Sequence, residues 1–397
     1  MRVSNQGSFL TGLQAMQRLQ QALDVTQRQI SSGRRILNPS DDPIGSARAI
    51  ELRESISRIE QFDRNAGIAR NRLSQEEAAL GSVNNVLQRI RELTLQANNA
   101  TQSNETRKLI AVEVREHLDH LQQLANQKDG NGNYLFAGNQ VDTRPVTRAG
   151  SVFTYNGDQS TRLIQIGEGR ELADGDPGSE VFFRVRTGTG SISVSAAGAN
   201  AGTGMFGTYS VTDPTQYDSD TYQVRFIDPG NYEVLDSGGG VVVSGAFAPG
   251  DNISFRGVEL TIAGAPAAND VFTVEPSQTQ NMFESIDALA SAMESDVTDD
   301  QSRAAVTNLL NEGLLNLDQA LGNVLDVRTR VGSRLAAIEN QVDSNGAMIL
   351  TMQSTLAEIR DLDYAEAISR LSAETASLEA AQKTFTYTQQ LSLFNYL

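Results

Sequence analysis

Two histidines among acidic residues on one predicted helix are the first candidates for chemistry. His117 and His120 lie beside Glu113, Glu116 and Asp119, and spacings of three and four could place imidazoles and a carboxylate around a metal ion. The competing interpretation is a solvated polar helix face. No further histidine and no pattern of supporting outer ligands accompanies the group. The sequence therefore favours the polar face and predicts no metal site.

A short run after this helix imitates the start of a calcium-binding loop. Asp129, Asn131 and Asn133 have the spacing of the first three ligands. The sixth position is Tyr134 instead of glycine, and the twelfth is Gln140 instead of glutamate. We therefore interpret the run as a turn that follows a helix.

A glycine group further along has the spacing of a dinucleotide-binding fingerprint. The three residues are Gly202, Gly204 and Gly207. The fingerprint requires a helix directly afterwards, whereas Thr208 to Val211 is typical of a strand. The match is due to chance in a glycine-rich stretch, and we predict no cofactor.

The residues needed for covalent or acid–base catalysis are also lacking. With two histidines on one helix and no cysteine, the chain offers no credible serine–histidine or cysteine–histidine pair. Neighbouring carboxylates are frequent in a chain with 49 acidic residues, and we expect them to be solvated or to cap helices. Examples are Asp41 with Asp42, Asp299 with Asp300, and Asp361 with Asp363. The sequence predicts no enzyme.

Composition limits the partners of this 397-residue chain. Its length allows two or three domains with their own cores. The formal net charge of −17 argues against nucleic acid as a partner and predicts salt-sensitive self-association. No stretch reaches the roughly 18 apolar residues of a membrane span, so we predict no membrane insertion. The first residues lack the apolar core of a secretory signal, so we expect any export to occur without a cleaved signal peptide.

Long helices must carry most of this chain. From Leu310 to Ile359 the positions at alternating intervals of four and three are apolar, and only Arg328 and Asn345 interrupt them. This alternation is typical of a coiled-coil seam. The two polar residues could fix the alignment of the helix with a partner, or they could lie where no partner helix passes. Asn345 with Gly346 could instead mark a kink.

The N-terminal part of the chain contains a matching helix. Positions 52 to 97 follow the same alternation, and the interruptions are Ser55, Glu76 and Thr94. A third, shorter helix is predicted from about Asn104 to Gln127. Two long helices and a short one predict an antiparallel bundle built from both chain ends.

Prolines divide the chain into helical and β-rich parts. All nine lie at 39–43 or 145–276, which predicts a helical part, a β-rich insertion and a second helical part. We expect residues 188–210, rich in Gly, Ala and Ser, to be a linker. Alternating patterns predict seven strands in the insertion: Ser151–Tyr155, Arg162–Ile166, Val181–Arg186, Thr221–Ile227, Val241–Val243, Glu259–Ile262 and Val271–Val274. The fold class is α + β and multidomain, a long antiparallel α-helical coiled-coil bundle with a β-rich central insertion.

The two extremities carry apolar stripes that nothing else in the sequence is predicted to cover. At the carboxyl end the seam changes phase after Ile359, and a new stripe ends in an apolar cluster. An amphipathic helix without a partner is poorly ordered alone, so we expect both ends to fold against neighbouring subunits. The predicted assembly residues are Leu13, Met16, Leu23, Ile30, Ile368, Leu371, Leu378 and Phe385, with Phe9 on the same N-terminal face. The terminal cluster is Leu391, Leu393, Phe394, Tyr396 and Leu397.

Several segments resemble a known family. QISSGRRILNPSDDPIGSARAIELR at 29–53 and IRDLDYAEAISRLS at 359–372 resemble the terminal signatures of flagellins and related hook-associated proteins. LANQKDGNGNYLFAGNQ at 124–140 and the closing SLFNYL are more similar to the hook–filament junction branch, hook-associated protein 3, than to flagellin. The resemblance leaves residues 188–276 uncovered.

The resemblance implies a layered architecture and a mechanical role at the hook–filament junction of a bacterial flagellum. Residues 1–43 with 360–397 would form a terminal helical assembly domain. Residues 44–187 with 277–359 would form a helical bundle, and 188–276 would form an outward small β domain. The implied partners are copies of the chain, the preceding hook-associated junction protein, flagellin and a cytosolic export chaperone.

Other interpretations stay open at the level of sequence. Flagellin itself shares both terminal signatures. A coiled-coil signalling protein would share the long helices, although such a receptor would need a membrane span. A stalked adhesive or carbohydrate-binding β domain would account for the insertion.

Overall fold

The chain folds into two compact units, described for residues 5–390 by a computed structural model. The terminal unit runs to Arg64 and resumes at Asn340, and the central unit is Asn65–Glu339. Both boundaries fall inside long helices. The apolar cluster predicted at residues 391–397 lies outside the described residues.

Six α-helices lie within the described residues. They are α1 (Asn5–Ser32), α2 (Pro43–Ala97), α3 (Asn104–Ala125), α4 (Met282–Glu294), α5 (Asp300–Arg360) and α6 (Tyr364–Gln390). Helix α2 begins at Pro43 because proline suits the first helical position, whose N–H would have no partner within the helix. Helix α4 is not among the helices that we predict, although Phe283, Ile286, Ala290 and Met293 recur at helical intervals of three and four. The side chain of Asn281 starts this helix by accepting the Phe283 N–H at 3.0 Å.

Helices α2 and α5 bury the seams that the sequence predicts. None of the predicted seam positions on either helix is exposed, and from Ile59 to Ala97 every one on α2 is buried. Polar pairs in the central unit join the two helices. They are Glu77 with Arg328 at 2.6 Å, Arg91 with Asp318 at 2.6 Å and Asn98 with Asn311 at 2.9 Å. Residue numbers rise on α2 as they fall on α5, so the helices run antiparallel.

The polar interruptions of the α5 seam both contact α2. In the terminal unit, Asn345 Nδ2 donates to Asp63 Oδ1 at 2.8 Å beside the apolar cluster around Ile56 and Leu356. The alternative that no partner helix passes these positions is therefore wrong. Helix α5 is also continuous through Gly346, so the chain does not leave the helix at the possible kink.

Fourteen strands lie within the described residues, all in the central unit. They are β1 (Val146–Ala149), β2 (Val152–Tyr155), β3 (Leu163–Gly167), β4 (Arg170–Ala173), β5 (Val185–Arg186), β6 (Ile192–Ala196), β7 (Met205–Val211), β8 (Tyr222–Asp228), β9 (Asn231–Leu235), β10 (Val241–Ala246), β11 (Asn252–Phe255), β12 (Val258–Ala263), β13 (Val271–Pro276) and β14 (Thr279–Gln280). Every pairing among them is antiparallel.

Two of the sheets close over one apolar core. The larger has the order β10-β9-β8-β13-β6 and the smaller β11-β12-β7. Phe226 and Phe272 enter this core from the first sheet, and Phe206 and Leu260 enter from the second. Leu315 of α5 packs against the same core. The remaining strands form three two-stranded sheets. The β1-β2 and β3-β4 sheets are hairpins, whereas β5 and β14 pair from the two ends of the insertion.

The prediction of a linker at residues 188–210 is wrong, because that stretch contains β6 and all but the last residue of β7. Its small side chains suit close packing against α5. Buried Asn308 accepts the Phe206 N–H and donates to the Gly204 carbonyl, each at 3.0 Å. Asn316 accepts the Gly188 N–H at 2.8 Å. Side-chain amides of α5 therefore hold the first strands of the insertion.

The prediction of a single strand over Val181–Arg186 is also wrong. Ser179–Phe183 forms one π-helical turn, and only Val185–Arg186 is a strand. Asn323 of α5 donates to the carbonyls of Glu180 and Val181 at 2.9 Å each, which satisfies groups that the wide turn leaves open.

Candidate assembly interface

The candidate metal ligands do not converge. His117 is half-buried, with Nε2 3.7 Å from Glu113 Oε1, whereas His120 is exposed. Within residues 5–390 no three His, Cys, Asp or Glu side chains are grouped so that they could hold a metal ion. This part of α3 is therefore polar surface.

The run that imitates a calcium loop is a turn, as predicted. Asp129 Oδ1 accepts the N–H groups of Asn131 at 2.8 Å and Asn133 at 3.0 Å, and Oδ2 pairs with Arg72 at 3.2 Å. The glycine group is likewise followed by strand β7 and not by a helix.

Acidic residues at helix starts act as caps, which confirms that interpretation for three of them. Their carboxylates accept backbone N–H groups, where the positive end of the helix dipole also favours a negative charge. The pairs are Asp42 with Gly45 at 2.9 Å, Asp299 with Ser302 at 2.8 Å and Asp363 with Ala365 at 2.9 Å.

The two extremities of the chain meet in the terminal unit. Helices α1 and α6 pack along each other, and the ring centroids of Phe9 and Phe385 lie 5.2 Å apart. At the opposite end of the pair, the Leu362 N–H donates to the Gly33 carbonyl at 3.0 Å. The two helices are therefore antiparallel. The expectation that no part of the same chain covers either extremity is wrong.

A short backbone pairing joins the ends of these helices. The Arg35 N–H donates to the Arg360 carbonyl at 2.7 Å, and Arg34 bridges Asp361 in an antiparallel sense. The Arg35 guanidinium also donates to the Ile359 carbonyl at 2.7 Å, which satisfies an open carbonyl at the negative end of α5. Gly33 has φ +67°, and a Cβ there would lie 2.9 Å from Tyr364 Oη, so the join requires glycine.

Each of the two helices has one stripe of residues that is at least partly shielded from solvent. The stripe of α1 is Gly12, Met16, Leu19, Leu23, Thr26 and Ile30, and that of α6 is Ala367, Leu371, Glu374, Leu378, Ala381 and Phe385. Both keep the alternating spacing of four and three, and none of their members is exposed. Thr26 and Ala367 are fully buried, and the others are half-buried.

Six of the eight predicted assembly residues belong to these stripes. They are Met16, Leu23, Ile30, Leu371, Leu378 and Phe385. Leu13 is 36% exposed and Ile368 is 54% exposed, because the stripes pass through their small neighbours Gly12 and Ala367. Small residues let two helices approach closely and leave the larger neighbours on the outer flank.

A search for large apolar side chains does not find five stripe members. They are Gly12, Thr26, Ala367, Glu374 and Ala381, to which the alternation of four and three would have pointed. It also points to Leu19, which the predicted set does not include.

The pairing of α1 with α6 leaves large apolar side chains in solvent. Besides Leu13 and Ile368, these are Phe9, Leu10, Val25, Tyr364 and Tyr387. Exposed apolar side chains grouped on one unit are typical of surfaces that contact another protein. The terminal unit therefore carries a candidate assembly interface on the outer faces of α1 and α6.

The central unit contains a buried ionic cluster around Glu76 of the α2 seam. Glu76 is 1% exposed, and its Oε1 accepts the Asp176 N–H at 3.0 Å. Its Oε2 is buried without a hydrogen-bond partner in the described chain. Asp176 pairs with Arg334 of α5 at 2.7 Å. Burial, with the nearby Asp176 carboxylate, raises the pKa of Glu76 to about 8.

Known proteins are similar to this chain in sequence and in fold. The profile of the bacterial flagellin N-terminal helical region matches residues 3–141, and that of the D2-like domain of flagellar hook-associated protein 1 matches residues 195–276. Flagellar hook-associated protein 3 of Salmonella typhimurium strain LT2 is 25% identical over 395 residues, 99% of each chain.

Two solved structures decide the family. The crystal structure of Xanthomonas campestris FlgL is 34% identical and has a TM-score of 0.73, covering 77% of this chain and 99% of that chain. Flagellar hook associated protein-3 of Legionella pneumophila is 30% identical with a TM-score of 0.74, covering 78% of this chain and 98% of the other. The chain belongs to the FlgL family, the flagellar hook-associated protein 3 family.

Membership of this family gives the broad function. The homologues are structural proteins of the bacterial flagellum. Flagellin is a more distant relative, since phase 1 flagellin of Salmonella naestved is 33% identical over 138 residues, 34% of this chain. Within residues 5–390 every helix is too short or too polar to cross a bilayer.

Proposed function

We propose that this chain is a structural adaptor between the hook and the filament of a bacterial flagellum, and that it assembles through the outer faces of α1 and α6. The observation that carries the proposal is the group of apolar side chains that stays exposed after α1 and α6 have paired. Burial of such surface supplies most of the affinity between subunits. Membership of the FlgL family supports this role.

The proposed architecture has three layers. Residues 1–43 with 360–397 form the assembly layer, 44–187 with 277–359 form the rigid bundle, and 188–276 form an outward domain. The bundle acts as an antiparallel coiled coil of α2 and α5, whose register Arg328 and Asn345 fix by pairing with Glu77 and Asp63. A rigid rod would transmit load between the two structures that the adaptor joins.

The proposed partners follow from this role. They are copies of the chain, the preceding hook-associated junction protein, flagellin, and a cytosolic export chaperone that covers the C-terminal helix. We further propose that the chain is exported unfolded without a cleaved signal peptide and works outside the cell. The similarity of residues 195–276 to a hook-associated protein domain favours an outward flagellar module over a carbohydrate-binding domain.

Replacement of an exposed assembly residue tests the proposal. Leu371 is half-buried within the stripe of α6, so a charge there would also disturb the packing of α1 with α6. Ile368 faces outward and is 54% exposed. We expect Ile368→Asp to leave folding and secretion unchanged and to abolish filament attachment, because the carboxylate would be buried at a subunit contact. Swimming, secretion and thermal unfolding are the measurements.

A matched control separates this contact from a general effect of surface charge. Ile227 on β8 is also 54% exposed, and Ile227→Asp should leave swimming intact. Normal swimming of the Ile368→Asp strain would refute an assembly role for this face of α6.

A further inference from the structure

A pocket with an apolar floor and a rim of arginines lies where α1 gives way to α2. Its volume is about 170 Å³. The apolar lining includes Ile36, Leu37 and Ile50, and the basic lining includes Arg34 and Arg53. Neither of these two arginines forms an ion pair within the described part of the chain. Such a pocket fits an apolar side chain that is flanked by carboxylates.

An element with that chemistry lies in the central unit. On α3, Leu109 is 71% exposed and Val112 is 57% exposed. Glu105 and Glu116 lie on the same helical stripe, about one turn beyond these residues on either side. Both glutamates are exposed, and neither forms an ion pair among residues 5–390. We call Glu105, Leu109, Val112 and Glu116 the α3 ridge.

We infer that the α3 ridge of one copy of this chain docks into the arginine-rimmed pocket of another copy. Leu109 and Val112 would cover the apolar floor, and Glu105 and Glu116 would face Arg34 and Arg53. Unpaired arginines are notable in a chain of net charge −17, because two such chains repel unless local charges of opposite sign meet. Because the α3 ridge and the arginine-rimmed pocket carry opposite charges, we assign the pocket to a second copy of this chain.

The ridge and the pocket are different surfaces, so the contact is heterologous. Such a contact leaves each copy with one ridge and one pocket still open, and repetition builds a ring or a helical layer. The inference rests on the proposed self-assembly but uses residues outside the outer faces of α1 and α6. The two contacts can therefore be tested separately.

Disulfide trapping in the full-length chain tests the docking. The chain has no cysteine, so introduced thiols are its only ones. We expect an equimolar mixture of Leu109→Cys and Ile50→Cys chains to give a heterodimer on mild oxidation, because a disulfide requires Cα atoms within about 7 Å. A chain with both substitutions should give a ladder of oligomers. Leu325→Cys, also on an exposed helical position, replaces Leu109→Cys in the control mixture.

Charge reversal distinguishes docking from random collision. Adding Arg53→Glu to the Ile50→Cys chain should lower the heterodimer yield about fivefold, and adding Glu116→Arg to the Leu109→Cys chain should restore it. Circular dichroism checks that each variant is folded. A yield equal to that of the Leu325→Cys control, or a yield indifferent to both reversals, would overturn the inference. In parallel, disulfide formation between Ile368→Cys chains tests the proposed contact through the outer face of α6. If that contact is trapped while the ridge–pocket contact is not, only the further inference is overturned.

Discussion

The α2–α5 pairing of the central unit and the α1–α6 pairing of the terminal unit use the same spacing of four and three but bury it differently. From Ala66 to Ala97 every seam position of α2 is buried. Of the twelve positions in the two terminal stripes, only Thr26 and Ala367 are buried. The same spacing therefore gives a fully buried core in the central unit and a partly exposed helix pair in the terminal unit.

The side chains explain part of this difference. Large aliphatic residues such as Leu80 and Leu87 fill the central seam, whereas Gly12, Ala367 and Ala381 occupy stripe positions in the terminal unit. Small residues bury little apolar area, so each contributes less to stability. The terminal pairing gains less free energy from its own chain and leaves more surface for contacts with other chains.

The largest expected effect comes from removing a central seam side chain. Leu87 is fully buried, and we expect Leu87→Ala to lower the free energy of unfolding of the central unit by about 4 kcal/mol, through lost burial and a new cavity. Leu378→Ala at a half-buried terminal position should cost about 1 kcal/mol. Urea unfolding followed by circular dichroism measures both. Equal losses would contradict the difference between the units.

A smaller effect is expected from the glutamate in the central seam. Because burial raises the folded-state pKa of Glu76 to about 8, above the ordinary glutamate value of 4.5, the folded state holds this proton more tightly than the unfolded state does. Its contribution to stability is therefore complete below pH 4.5 and is lost as pH rises through 8. Glu76→Gln should abolish this fall in the free energy of unfolding, which amounts to about 3 kcal/mol between pH 5 and 8.

Urea unfolding at several pH values measures this change. Glu60→Gln on the exposed face of α2 serves as the control and should keep the decline of the unsubstituted chain. If Glu76→Gln declines with pH as steeply as the control, the ionisation of Glu76 does not govern the stability of the seam.

The smallest expected effect concerns the glutamate in the terminal stripe. Glu374 Oε2 is buried without a hydrogen-bond partner in the described chain. Leucine at this position would remove that desolvated oxygen, so Glu374→Leu should stabilise the α1–α6 pairing by about 0.5–1 kcal/mol. Slower amide exchange in α1 and α6 would show this, with Glu379→Leu as an exposed control. Unchanged exchange would mean that Glu374 does not limit the pairing.

Periodicity was sufficient to predict the long helices and their inward faces. The alternation from Leu310 to Ile359 identifies positions that are all sheltered in the structure, and the prolines bound the insertion correctly enough to locate its strands. The sequence does not predict the hydrogen bonds that side-chain amides of α5 make to the backbone of the insertion. Asn308 and Asn316 hold the β6–β7 region through partners more than a hundred residues away, and nothing local to Gly188 or Gly204 reveals them.

The candidate interface was harder to predict than the fold. The hydrophobic pattern predicts Leu13 and Ile368 as contact residues. In the structure their small neighbours Gly12 and Ala367 lie between α1 and α6 instead. Hydrophobic pattern alone cannot choose between adjacent residues when a small one permits closer packing. The need for glycine at position 33 depends on its left-handed φ and on the nearby Tyr364 hydroxyl, and only the structure shows these two features.

The hydrogen bonds between Gly33 and Leu362 and between Arg35 and Arg360 link residues more than three hundred positions apart. During synthesis, α1 leaves the ribosome more than three hundred residues before α6, so these two helices cannot pair until α6 has been made. A prematurely ended chain would keep the inner stripe of α1 in water, where a protease or chaperone could recognise it. The chain order thus makes the synthesis of α6 a condition for covering the inner stripe of α1.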